Sequence, residues 1–155
     1  MAKIVKEELW KPADIIFVTT NGYINKQGAL VMGRGAALQA TKYYPNIAFQ
    51  AATKAMMLGQ QVAGNVYEYN LIPIVMRTRD NFNAVGLFQV KYRYDEKADL
   101  ELIKKATTML ANYAKLSSNL SFRINYPGIG FGGLTKEVVG PIIEELPGNV
   151  TVCYY

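Results

Sequence analysis

The apolar and polar positions divide the chain into short strand-like segments and longer helical ones. The clearest helix is predicted from about Lys97 to Leu116, because apolar residues recur there at three- and four-residue spacing. Pro45 separates two Ala-rich helical segments. Segments rich in Ile, Val, Phe and Tyr predict strands at 3–7, 15–19, 65–69, 85–90, 122–126 and 150–154, and helical patterns cover 36–43, 47–58 and 136–146.

Strands that alternate with helices predict an α/β fold, in which a largely parallel or mixed sheet is covered by helices on both faces. The length of 155 residues fits one domain, so we expect residues 1–155 to form a single domain. In such sheets a ligand binds beyond the carboxyl ends of the strands. The loops that follow strands are therefore the candidates for chemistry.

Composition excludes several classes of enzyme. The chain has no histidine, which removes serine–histidine hydrolases, zincins and histidine phosphatases. Cys153 is the single cysteine, so neither a disulfide nor a zinc cluster is expected, and a reducing compartment is favoured. No stretch has the apolar run of a secretion signal or a membrane span. We therefore expect a cytoplasmic protein with no membrane partner.

The net charge says little about partners. A formal charge of +5 favours anionic ligands or transient contact with nucleic acid. However, the lysines and arginines are spread along the chain and do not cluster with aromatic residues. An ordinary solvated surface accounts for the charge equally well.

The first candidate loop follows the strand predicted at 15–19 and leads to Gly33-Arg34-Gly35, just before a helix. The two glycines allow backbone N–H groups to approach an anion, and the helix offers the positive end of its dipole. One interpretation is a diphosphate cradle, and the other is an ordinary turn that starts a helix.

The second candidate loop, 127–134, lies between a predicted strand and the last helix. Its glycines at 128, 130 and 133 fit the pattern G-x-G-x-x-G. A dinucleotide-binding fingerprint also needs an acidic residue about 20 positions later, and the segment 150–155 has none. Four glycines in six residues cost folding entropy, which favours a ligand-binding role over a purely structural one.

The third candidate loop contains Lys91 at the end of the strand predicted at 85–90. Lys91 is the best nucleophile or electrostatic catalyst in the sequence, because nearby tyrosines and the charge of Arg93 would lower its pKa. The alternative is a solvated lysine at a strand end.

Together these loops resemble the macrodomain family of ADP-ribose binders, over nearly the whole chain. Residues 13–22 and 31–37 are similar to the family's second strand and first phosphate loop, and residues 125–134 to its second loop. Residues 86–92 resemble the branch that contains DNA ADP-ribosylation antitoxins and the human enzyme that removes ADP-ribose from glutamate. The resemblance implies a three-layer α/β/α macrodomain-like fold with a mixed central sheet, ADP-ribose binding and hydrolysis of an ADP-ribosyl linkage.

The resemblance also implies roles for individual residues. Glu8 stands where the family has an aspartate that accepts a hydrogen bond from the adenine amino group. Asn21 matches an asparagine that contacts the distal ribose. Lys91 matches a lysine that attacks, or electrostatically stabilises, the ribose C1 centre. Lys91 and Asn21 are thus the catalytic candidates. The ligand contacts implied are Glu8, Leu9, Asn21, Gly33, Arg34, Gly35, Gly128, Ile129, Gly130, Phe131 and Gly132.

Besides Glu8, which replaces an aspartate, the chain departs from the family at two further places. The human enzyme has an aspartate in its second loop where this chain has Gly132 and Gly133, and the family's common histidine near the lysine is replaced by Arg93. The resemblance implies no metal ion and no cofactor, and a monomer whose partner is ADP-ribose or an ADP-ribosylated protein or nucleic acid. Two alternatives stay open: a non-catalytic module that reads or sequesters ADP-ribose or a related NAD-derived nucleotide, and a phosphatase acting on ADP-ribose 1″-phosphate.

Overall fold

The computed structural model describes residues 1–74 and 84–155. Strands and helices alternate there as the sequence predicts. The strands are β1 (Lys3–Lys6), β2 (Ile15–Thr20), β3 (Gln60–Ala63), β4 (Val66–Glu68), β5 (Leu71–Ile74), β6 (Ala84–Gln89), β7 (Phe122–Asn125) and β8 (Val150–Tyr154). The helices are α1 (Gly35–Tyr43), α2 (Ile47–Leu58), α3 (Leu100–Leu116) and α4 (Lys136–Ile143), and Gly130–Gly132 form a 3-10 turn.

Six strands form one mixed sheet in the order β1-β8-β7-β2-β6-β5. Five of them run parallel, and β5 pairs antiparallel with β6 at the edge. The mixed sheet predicted from the sequence is therefore confirmed. Because β1, β2, β6, β7 and β8 are parallel, their carboxyl ends all lie at the same edge of the sheet, and the three candidate loops meet there.

Helices cover both faces of this sheet. Along β2, Ile16 and Val18 belong to the hydrophobic cluster that packs under α1 and α2, whereas Phe17 belongs to the cluster under α3 and α4. All three side chains are fully buried, and each burial contributes about 1.5–3 kcal/mol. This alternation is the two-residue period of a strand with a core on each side, and it produces the three-layer α/β/α arrangement.

The sequence prediction omits two strands, β3 and β5, and β5 (Leu71–Ile74) contains Pro73. Proline has no backbone N–H to donate to a neighbouring strand. It is tolerated in β5 because this strand lies at the sheet edge. The strand predicted at 65–69 is present as β4, but it pairs with β3 in a separate two-stranded sheet. Among the described residues, no helix is both long and apolar enough to cross a membrane.

Two helices are shorter than predicted. Helix α3 begins at Leu100 and not near Lys97, because the side chain of Asp99 accepts hydrogen bonds from two backbone N–H groups of the first turn, at 2.8 and 3.2 Å. Helix α4 ends at Ile143. The backbone N–H of Leu146 donates to the carbonyl oxygen of Ile143 at 3.1 Å, which forms a tight turn.

Candidate functional site

A cleft with two chambers opens beyond the carboxyl ends of β2, β6 and β7. The larger chamber, next to β1 and β8, has a volume of about 500 Å³. The smaller chamber, next to β2 and β6, has a volume of about 250 Å³. Five residues line both chambers and define the waist of the cleft: Gly35, Ala36, Asn125, Ile129 and Gly130.

The waist is suited to an anion. Gly35 begins α1, and the preceding Arg34 makes no side-chain hydrogen bond that caps the helix. As in any α-helix, the first N–H groups of α1 have no acceptor within the helix, and no capping side chain takes that place. They carry the positive end of the helix dipole. Opposite them, Gly130 has φ +66° and a Cβ there would meet nothing within 4 Å. The backbone of the second loop thus faces open space across the waist.

Lys91 lies in the wall of the smaller chamber, two residues after the end of β6. Its Nζ donates to the backbone oxygen of Glu96 at 3.1 Å. Burial, followed by the charge of Arg34, lowers the pKa of Lys91 below the ordinary lysine value, against the opposing carboxylates of Asp95 and Glu96. The neighbouring cation is therefore Arg34 from the first loop. Arg93, expected in that role from the sequence, is paired with Asp95 at 3.1 Å.

Asn21 shapes the first loop as well as lining the smaller chamber. Its Oδ1 accepts from the backbone N–H of Tyr23, and its Nδ2 donates to the backbone oxygen of Val31, both at 2.8 Å. These bonds join the two ends of the segment from Asn21 to Val31, which lies within the connection from β2 to α1. One of the two Nδ2 hydrogens is left over for a ligand.

The larger chamber combines one free carboxylate with aromatic walls. Glu8 is exposed at its rim, beside Leu9 and Trp10. The centres of the Trp10 and Tyr43 rings lie 4.7 Å apart, and Tyr154 lines the same chamber. Such a chamber can hold a flat heterocycle against apolar surface while a carboxylate accepts one of its hydrogens.

The structure brings all of the predicted site residues to this cleft. Glu8 and Leu9 line the larger chamber, and Gly35, Ile129 and Gly130 line both. The smaller chamber is also lined by Asn21, Gly33, Arg34, Lys91, Gly128, Phe131 and Gly132. No group of three His, Cys, Asp or Glu side chains within residues 1–74 and 84–155 could hold a metal ion.

The glycines of the second loop differ in what they do. A Cβ on Gly128 would lie 2.8 Å from Cδ1 of Ile103 on α3, so this glycine allows the loop to pack against that helix. Phe131 is 66% exposed, and its ring lies 5.4 Å from the guanidinium carbon of Arg34. The loop is therefore anchored at Gly128 and reaches across the cleft at Phe131.

Comparison with known proteins gives matches among solved structures alone. No protein-family model matches the chain, and no curated protein matches its sequence. The macrodomain of Mycobacterium tuberculosis DarG matches with a TM-score of 0.72 and 22% identity, over 100% of this chain and 99% of that one. The macrodomain of Thermus aquaticus DarG matches with a TM-score of 0.67 and 22% identity, over 100% and 98%.

This chain has the macrodomain fold. A further match is the structure of Thermosipho africanus DarTG in complex with ADP-ribose, with a TM-score of 0.64 and 21% identity. It covers 91% of this chain and 38% of that one. The macrodomain fold expected from the three loops is thereby confirmed.

Sequence reasoning missed Arg123, which lies on β7 under the larger chamber of this macrodomain fold. Its Nε donates to the backbone oxygen of Leu9 at 2.9 Å, and its Nη2 donates to the backbone oxygen of Glu8 at 2.7 Å. The same Nη2 contacts a carboxylate oxygen of Glu7 at 2.8 Å. The sequence carries no signal for this role, since a lone arginine in a short strand looks like a surface residue.

Two side-chain amides, the buried Gln89 and the half-buried Asn125, fix the strand ends beneath the site and were also missed. The Oε1 of Gln89 accepts from the backbone N–H groups of Tyr69 and Asn70, while its Nε2 donates to the backbone oxygen of Lys91 at 3.2 Å. At the waist, Asn125 bonds through Oδ1 and Nδ2 to the backbone N–H and hydroxyl of Thr19, at 3.0 and 2.8 Å. Polar residues at the ends of apolar strands are the signal that could have identified both.

Proposed function

We propose that the chain binds ADP-ribose, with the diphosphate at the waist of the cleft. The observation that carries the proposal is the waist itself, where the start of α1 faces the open backbone at Gly130 between two chambers of different size. Free N–H groups at a helix start are a common binding site for phosphate. The similar fold of a protein solved in complex with ADP-ribose supports the same ligand.

The difference between the two chambers supports one direction for the ligand. The larger one, with its aromatic walls and the carboxylate of Glu8, would take the adenosine. Glu8 would accept a hydrogen bond from the amino group of the base. The smaller one would take the distal ribose, next to Asn21 and Lys91. This direction also sets the C1″ atom of the ribose on the side of Lys91.

We further propose that the chain hydrolyses an ADP-ribosyl linkage. The neutral amine of Lys91 would attack C1″, the bond from C1″ to the acceptor would break, and the acceptor would leave with the electron pair and take up a proton. Water would then replace Lys91 at C1″, which releases ADP-ribose and restores the amine. Burial supports this role, because it lowers the pKa of Lys91 and so increases its neutral fraction.

An alternative mechanism keeps Lys91 as a cation. The ammonium group would then stabilise negative charge on the departing acceptor and form no bond to the ribose. Asn21 would orient the ribose in either mechanism through its unused Nδ2 hydrogen.

A second candidate function is a module that binds ADP-ribose without cleaving it. One observation favours it: among the described residues that line the smaller chamber, none is a carboxylic acid. A departing acceptor would then have to take its proton from water or from the substrate itself. Binding alone needs no such group.

The test is release of ADP-ribose from three classes of substrate: an ADP-ribosylated protein, an ADP-ribosylated DNA and ADP-ribose 1″-phosphate. We expect release from at least one linkage to protein or DNA, detected by mass spectrometry. Release of phosphate alone would identify a phosphatase. Binding of free ADP-ribose without release from any substrate would identify the non-catalytic module.

A further inference from the structure

Arg123 is a buried charge that the proposed chemistry does not use. It lies on β7 in the interior of the sheet and is 8% exposed. A buried guanidinium is costly unless hydrogen bonds compensate for its lost hydration. Within the described residues, the side-chain hydrogen bonds of Arg123 all lead to one short segment, residues 7–9, which follows β1. This concentration of contacts is the observation that needs an explanation.

The segment 7–9 lies outside the regular strands and helices, with the side chain of Leu9 buried in the core cluster under α1 and α2. Strand β1 ends at Lys6, and the next regular element is β2. Two successive carbonyl oxygens, those of Glu8 and Leu9, accept from the guanidinium at 2.7 and 2.9 Å. The carbonyl of Leu9 also accepts from the backbone N–H of Lys11 at 2.9 Å, whereas the carbonyl of Glu8 is held by the planar, fixed fork of Arg123.

The backbone orientation in turn sets the position of the Glu8 carboxylate. The Glu8 side chain is exposed at the rim of the larger chamber and makes no hydrogen bond within the described residues. Glu7, next to it, is held instead by both Lys11 and Arg123, at 2.9 and 2.8 Å. Arg123 thus pairs with the carboxylate of Glu7, and the carboxylate of Glu8 stays exposed at the rim of the larger chamber.

We propose that Arg123 is the positioning residue for base recognition: it fixes the segment 7–9 so that Glu8 selects adenine over bases without an exocyclic amino group. The proposal rests on ADP-ribose binding and deepens it. Hypoxanthine has a carbonyl oxygen in place of the adenine amino group, so at that position it would present an acceptor to the Glu8 carboxylate, and its N1–H donor lies one ring position away. ADP-ribose should therefore bind at least about tenfold more tightly than inosine diphosphate ribose.

The experiment measures both dissociation constants for the wild type and for Arg123→Met and Arg123→Lys, with the melting temperature of each protein. We expect the preference for adenine to fall to within about twofold in Arg123→Met. Lysine should restore part of it, because it keeps the charge but lacks the fork of donors. The matched control is Lys11→Met, which removes the other side-chain partner of Glu7 and keeps the backbone N–H that donates to Leu9, and it should keep the preference.

A second comparison tests whether Arg123 acts through Glu8. The single variant Glu8→Ala should lose the adenine preference. The double variant with Arg123→Met should show no further change in that preference. An unchanged preference in a folded Arg123→Met, or an equal loss for both ligands, would overturn the proposal and leave a structural role for Arg123. If the wild type binds neither ligand, ADP-ribose binding itself is wrong and the proposal is wrong with it.

Discussion

Arg34 and Phe131 join the two glycine loops across the cleft. The guanidinium carbon of Arg34 lies 5.4 Å from the centre of the Phe131 ring, a distance at which a cation is attracted to an aromatic face. Arg34 also contributes to the lowered pKa of Lys91. Arg34 therefore links the first loop to the second loop and to the lysine proposed to act on the ribose.

The first prediction concerns Phe131, which would form an apolar wall against the distal ribose. Phe131→Ala should weaken ADP-ribose binding about tenfold, equivalent to about 1.4 kcal/mol. Since the ring is 66% exposed, the free energy of unfolding should change by less than about 0.5 kcal/mol. Calorimetry and thermal melting measure the two effects. Leu116→Ala, which truncates another exposed apolar side chain, should change neither, and an equal effect of both variants on binding would contradict the assignment.

The second prediction tests the waist. Gly130→Val should abolish ADP-ribose binding, because the added side chain would enter the space that a phosphate needs. Gly28→Val is the matched control, since Gly28 also has a positive φ and open space at its Cβ but does not line the cleft. Both variants should lower the melting temperature through backbone strain, and the control should bind normally. Normal binding by a folded Gly130→Val would mean that this loop is structural.

The third prediction concerns the chemical role of Lys91. Lys91→Ala should reduce the rate of ADP-ribose release by about 100-fold or more and leave binding of free ADP-ribose nearly unchanged, which is typical of an interaction made in the transition state. Lys91→Arg keeps the charge without a usable nucleophile. Loss of activity in Lys91→Arg would support covalent attack, and substantial activity would support electrostatic stabilisation. Full activity in Lys91→Ala would exclude both roles.

The fourth prediction concerns pH. If the amine attacks, the rate of release should rise with pH and level off above the pKa of Lys91, which burial and Arg34 hold below the ordinary lysine value. Arg34→Gln removes a repelling cation, so the pKa of Lys91 should rise and the inflection should move to higher pH. A rate that falls with rising pH through the same inflection would identify the ammonium as the active form.

The sequence predicted the order of most elements and the position of the cleft. Parallel strands end at a common edge, so glycine-rich and basic loops after them had to meet there, and Gly35, Lys91 and Gly130 do. The prediction missed β5, because Pro73 is unfavourable in a strand and only its edge position permits it. It also placed the start of α3 too early, since Asp99 was not recognised as the cap.

The charges around the site were the least predictable part. Arg93 is adjacent to Lys91 in sequence, yet it pairs with Asp95, and the cation that acts on Lys91 is Arg34 from another loop. Arg123 is separated from Glu8 by more than one hundred residues, and the two meet because β7 lies in the interior of the sheet. Such contacts depend on strand order, which no local pattern reports.

The most direct test of the account is calorimetric titration of the wild-type chain with ADP-ribose, and with AMP in parallel. We predict binding of ADP-ribose with a dissociation constant on the order of micromolar, as expected for a largely preformed pocket. AMP should bind much more weakly, because it reaches the larger chamber but cannot span the waist to the distal ribose site. No detectable heat with ADP-ribose at millimolar concentration, or equal affinity for AMP, would contradict the account.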